Sequence, residues 1–89
     1  MDIQKQINEL KDWKFEDNSI KKIFILKNFR QAISFMVNVA FYCEELNHHP
    51  DWSNTYKKVE IKLSTHDAGK LTEKDIKLAK IIDEIYCAE

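Results

Sequence analysis

All three histidines of this chain fall in two short segments. His48 and His49 stand in EELNHHPDW (44–52), and His66 stands in STHD (64–67). An imidazole titrates near neutrality, so it can give and take protons in catalysis without extreme tuning. Glu44 lies four residues before His48. If the helical turn between them persists, the two side chains share a face and the carboxylate can fix the imidazole tautomer. Pro50 biases His49 to an extended backbone, which places the histidine pair on a stiff corner. His66 ends an alternating run just before the turn-like DAGK. Three imidazoles at element ends can converge on one pocket and act there as acid and base.

Other chemistries compete for the same residues. Three histidines can hold zinc with one position open. Adjacent histidines suit this poorly, because neighbouring side chains diverge. A Ser/His/Asp hydrolase would need a nucleophile elbow, and the chain has none. A histidine at a helix end is often only a cap or a surface residue. Trp52 and Tyr56 can stack on a flat ring, although an aromatic side chain is by default part of the core.

The surrounding pattern shows what must position these groups. Ile3, Ile7 and Leu10 keep helical spacing and predict a short amphipathic helix over 2–12. Trp13 and Phe15 alternate with polar residues as a strand. EDNS (16–19) is turn chemistry, and IKKIFILK (20–27) reads as the return strand of a hairpin. FRQAISFMVNVAFYCEEL (29–46) predicts a longer helix whose only polar stripe is Gln31, Ser34 and Asn38. Such a helix has more apolar surface than one buried face requires, so its second face is expected to meet another subunit. In TYKKVEIKLST (55–65), Val59, Ile61 and Leu63 face one way and Lys58, Glu60 and Lys62 the other. This predicts a half-buried antiparallel strand, or two strands with a bend starting near Trp52. Thr72 and Asp75 are spaced as a capping box and Leu71 and Ile76 as a hydrophobic staple, opening a helix that runs to about Tyr86. The order α-β-β-α-β-β-α predicts an α+β two-layer sandwich: a small antiparallel sheet covered by helices on one face.

At 89 residues the chain suits a single domain, 1–89. Fourteen basic and 15 acidic residues leave a net charge of −1 without long runs of one sign, so nucleic acid is not an expected partner. No apolar stretch approaches the roughly 20 residues of a membrane span. The start, MDIQKQINEL, does not read as a secretory signal. Two cysteines, Cys43 and Cys87, without metal spacing fit free thiols in a reducing cytoplasm. A domain this small without staples is expected to gain buried surface by forming a dimer or tetramer.

ELNHHPDWSNTYKKVEIKLSTHDAGKLTEKD closely resembles the signature of the pterin-4a-carbinolamine dehydratases. Its elements stand here as Glu44, His48-His49-Pro50, Asp51, Trp52, Asn54, Tyr56, Thr65-His66, and Asp75 nine residues after that histidine. The likeness also takes in Trp13, Ile20, Phe24 and the Phe29–Ala40 stretch. It departs at Lys70, where the family often has Gly, and at Asn47, where some members carry Asp. The resemblance implies a dehydratase that removes water from 4a-hydroxytetrahydropterin to give quinonoid dihydropterin, without metal or cofactor. His48 and His66 would be its acid–base pair. His49 would place the pterin and share in proton transfer. Glu44 would orient an imidazole. Asn47, Ser64, Thr65 and Asp67 would bond the ring edge, with Trp52 beside them. Asp75 would cap a helix behind the site. Some animal members of the family look like dimerisation partners for a homeodomain transcription factor, so a protein-binding module using the 29–46 helix is the alternative.

Overall fold

The computed structural model describes residues 3–65 and 69–88. Along the chain these form α1 (Ile3–Glu9), β1 (Lys14–Glu16), β2 (Ser19–Ile25), α2 (Phe29–Leu46), β3 (Asp51–Thr55), β4 (Lys58–Leu63) and α3 (Glu73–Ala88). The four strands make one antiparallel sheet in the order β1-β2-β4-β3. The α+β fold and the element order agree with the expectation from sequence.

The core lies between the sheet and α2 and α3. Ile20 and Phe24 of β2 and Val59, Ile61 and Leu63 of β4 point inward and are fully covered. Their neighbours Lys58 and Lys62 face solvent, so the alternation sorts one wet and one dry face. From α2 the buried set is Ala32, Phe35, Val39 and Cys43; from α3 it is Ile76, Leu78, Ala79 and Ile82. Phe24 is the centre of an aromatic cluster, with ring centroids 5.1 Å from Phe35, 4.9 Å from Tyr86 and 6.0 Å from Trp13. A polar clamp borders the cluster. Trp13 Nε1 donates to both carboxylate oxygens of Asp83 at 3.1 Å, and Lys22 Nζ donates to Asp83 Oδ1 at 2.9 Å.

The junctions differ from the sequence reading in instructive ways. α1 ends at Glu9 instead of continuing to residue 12, because Asp12 adopts φ 66° and turns the chain so that Trp13 enters the core. Asp17 and Asn18 both take positive φ, which makes a two-residue hairpin turn and lets β2 begin at Ser19. The 55–65 run is not one strand. Thr55 closes β3, Tyr56 turns at φ 55°, and β4 opens at Lys58, so the two-strand alternative holds. Asn54 secures the turn by donating from Nδ2 to the carbonyls of Tyr56 (3.0 Å) and Lys58 (2.9 Å).

α2 matches its predicted bounds. Asn28 Oδ1 caps the first turn by accepting from the Gln31 amide at 2.9 Å. Its buried residues leave an opposite stripe of Phe29, Ile33, Val37 and Phe41, which are 50%, 40%, 49% and 70% exposed. Among the described residues no helix is long and apolar enough to cross a membrane.

Candidate active site

The candidate site forms where two junctions meet: the α2–β3 corner and the passage from β4 into α3. Asn47 ends α2 in the left-handed conformation (φ 51°, ψ 45°). The amide of His48 reaches back to the Cys43 carbonyl at 2.9 Å, closing the helix as a Schellman-type cap. The cap turns His48 inward, and Pro50 keeps the helix from continuing. β3 starts at the next residue. The corner is therefore held at both ends.

His48 is 8% exposed, and its Nε2 lies 2.5 Å from Oδ1 of Asp75, which is fully buried. The other carboxylate oxygen, Oδ2, accepts from the Thr65 hydroxyl at 2.8 Å and from the Thr72 amide at 3.0 Å. The Thr72 hydroxyl sits 2.6 Å from that of Thr65. Thr65 has one proton and spends it on Asp75, so Thr72 is the donor between the two hydroxyls. With two donors on Oδ2, the proton shared between Oδ1 and the imidazole belongs on Nε2. Neutral His48 then carries its free lone pair on Nδ1, and Nδ1 is the atom left for chemistry. A carboxylate so fully desolvated needs these partners, and each one has a defined direction.

His49 is arranged differently. Its Nε2 meets Glu44 Oε2 at 2.8 Å, and both side chains are largely in solvent, at 58% and 79% exposure. The sequence pairs Glu44 with His48. The left-handed Asn47 breaks the helical spacing and hands Glu44 to His49. The residue that orients His48 is Asp75, expected only as a cap. It does close the capping box through the Thr72 amide, and the same carboxylate reaches across 27 positions to the imidazole.

A cleft of about 330 Å³ opens over this pair. His48 and Thr65 lie deep in it, whereas Asn47, His49, Asp51 and Lys74 stand exposed around it. The cleft thus gathers four of the expected site residues, Asn47, His48, His49 and Thr65, with Glu44 behind His49. The Thr65 hydroxyl has no proton to offer a ligand and can only accept. Asn47 serves the backbone as the α2 cap. Trp52 packs against the core, and among the described residues neither Trp52 nor Ser64 lines the cleft. His66 and Asp67 lie outside the described residues. Sequence reading missed Lys74, because nothing local separates it from the other surface lysines. Cys43, buried under the corner, has its thiol pushed up to about 11, mainly by burial and further by the nearby Glu44 charge, so it is no nucleophile at neutral pH.

Comparison with known proteins bears on the family and the fold. Residues 1–85 match the family model described as pterin 4 alpha carbinolamine dehydratase. A protein of Opitutus terrae, assigned by name to these dehydratases, is 48% identical over 94% of this chain and 88% of its own length. One from Rhizobium johnstonii, similarly assigned, is 46% identical over 92% of this chain and 83% of its own. Among solved structures, a transcriptional coactivator/pterin dehydratase from Brucella melitensis superposes with a TM-score of 0.90 at 36% identity, covering 94% of this chain and 92% of that one. The chain belongs to the pterin 4 alpha carbinolamine dehydratase family.

Proposed function

We propose that this protein is a 4a-hydroxytetrahydropterin dehydratase working by histidine acid–base catalysis. The reaction breaks the C4a–O bond, removes the proton on N5 and forms the C4a=N5 bond. The hydroxyl leaves as water once it is protonated, so one group must give a proton and another must take one. The observation that carries the reading is the buried His48–Asp75 pair. Asp75 holds Nε2–H and leaves Nδ1 of His48 as a directed base or, once protonated, an acid. His66 is proposed as the second proton-transfer group. His49, steadied by Glu44, positions the pterin at the mouth of the cleft. Thr65, able only to accept, suits a ring N–H. The reaction as proposed uses no metal or cofactor and takes place in the cytoplasm, where Cys43 and Cys87 stay reduced. The test is a dehydration assay on synthetic 4a-hydroxytetrahydropterin with protein purified without added metal. Acceleration over buffer supports the reading; a rate equal to buffer, or one that appears only with stoichiometric zinc, defeats it.

A second reading concerns the apolar stripe of α2. Phe29, Ile33, Val37 and Phe41 recur every four residues on one exposed face, a pattern that suits a helix-to-helix contact. We propose that a second copy of this chain covers it, giving a dimer or tetramer. The Brucella melitensis relative, whose name couples coactivator with dehydratase, makes docking of a different protein the alternative use of this face.

A further inference from the structure

The cleft is small for a ligand site. At about 330 Å³ it lies near the bottom of the range of roughly 300–1,000 Å³ typical of small-molecule pockets. A bicyclic ring seated on His48 and Thr65 would share the cleft with the exposed lining residues Asn47, His49, Asp51 and Lys74, which are the groups a ring substituent could meet. The rim carries fixed charges of both signs. Lys74, in the first turn of α3, is exposed there and makes no ion pair among the described residues. Asp51, the acidic residue of the same lining, holds the register position opposite Lys62 across β3 and β4, and no ion pair joins it to Lys74 among the described residues. The same row of the open sheet face continues through Lys21 and Lys14. An uncharged heterocycle gives such an ammonium nothing to neutralise; a negative tail does.

From this arrangement we infer that Lys74 selects substrates by their side chain, and that the site favours a pterin bearing a phosphate or carboxylate on its substituent over one with a neutral substituent. The inference rests on the pterin reading of the cleft and adds the class of substrate. Lys74 is a specificity residue in this account and takes no part in proton transfer. Because the ammonium is exposed, its effect on affinity is modest, about five-fold, and sensitive to salt.

The test is equilibrium binding of two stable probes, 6-hydroxymethyl-7,8-dihydropterin and its monophosphate. Wild-type protein should bind the phosphate about five-fold more tightly at low salt and lose the preference in molar salt. Lys74→Gln should erase the preference while leaving affinity for the neutral probe unchanged. Lys77→Gln, three residues along the same helix and away from the cleft, should leave both affinities as they are. Equal affinity of the wild type for the two probes overturns the inference. So does a Lys74→Gln variant that weakens both probes by the same factor, which would assign the lysine to the ring. If neither probe binds, the pterin reading falls as well, and the dehydration assay separates that case from a failure of Lys74 alone.

Discussion

Replacing Asp75 with Asn keeps the shape of the side chain and inverts one of its contacts. The carboxylate accepts three hydrogen bonds: one from His48 on Oδ1, and two from Thr65 and Thr72 on Oδ2. An amide has only one acceptor oxygen. Its lowest-cost placement puts that oxygen toward Thr65 and Thr72 and the NH2 group toward His48. The imidazole must then accept on Nε2, which moves its proton to Nδ1 and removes the lone pair from the reacting nitrogen. Folding should suffer moderately. Trading charge-assisted bonds for neutral ones costs roughly 2 kcal/mol, which lowers Tm by roughly 8–16 °C in a domain of this size. Catalysis should suffer far more, by about 10²–10⁴ in kcat, the usual worth of a positioned acid or base. Thermal unfolding gives the first number and the dehydration assay, run below the variant's Tm, the second. Imidazole 15N shifts report the tautomer directly: protonated Nε2 in the wild type, protonated Nδ1 in Asp75→Asn. A variant that folds, keeps near-full kcat and shows an unchanged tautomer would refute the reasoning.

Other outcomes follow from the same structure. Alkylation of the native protein at pH 8 should label Cys87 alone, with Cys43 labelled only after unfolding; two labels on native protein would contradict the burial and the raised thiol pKa. Because the folded Cys43 thiol titrates near 11 against an ordinary 9.0, the unfolded chain loses that proton first. Stability from this group is complete below pH 9 and lost as pH rises toward 11, and Cys43→Ala should flatten that part of the Tm–pH curve. Sedimentation at micromolar concentration should show at least a dimer, loosened by Val37→Lys or Phe41→Lys; a clean wild-type monomer would remove the proposed role of the α2 stripe. Asp83→Ala unties Trp13 and Lys22 together and should cost roughly 2 kcal/mol in chemical denaturation while leaving the cleft's ligand affinity intact.

Much of this arrangement is written in local signals. The bounds of α2 follow from Asn28 as a cap and from the apolar run that Asn47 and Pro50 stop. The start of α3 follows from Thr72 and Asp75. The place of His48 and His49 is legible because imidazoles are few and this pair stands at an element end. What local reading misses are pairings that depend on tertiary position. Glu44 and His48 have the right spacing for a helix that continues, and the left-handed Asn47 decides otherwise. Asp75 looks like a cap because it is one, and nothing nearby shows that the same carboxylate meets an imidazole 27 residues earlier. The break at Tyr56 is hidden for a similar reason: an aromatic residue at positive φ is a poor turn former, and the Asn54 side chain helps to stabilise it there.

The central claim is that His48, held by Asp75, moves a proton in pterin dehydration. It is tested most directly by the turnover of 4a-hydroxytetrahydropterin by His48→Ala beside the wild type, with pterin affinity measured on both. The account predicts a kcat lower by about 10²–10⁴ with affinity changed much less, and a smaller loss for Glu44→Gln, which steadies only His49. A His48→Ala protein that turns over at the wild-type rate would contradict it and leave the buried histidine a purely structural part of the corner.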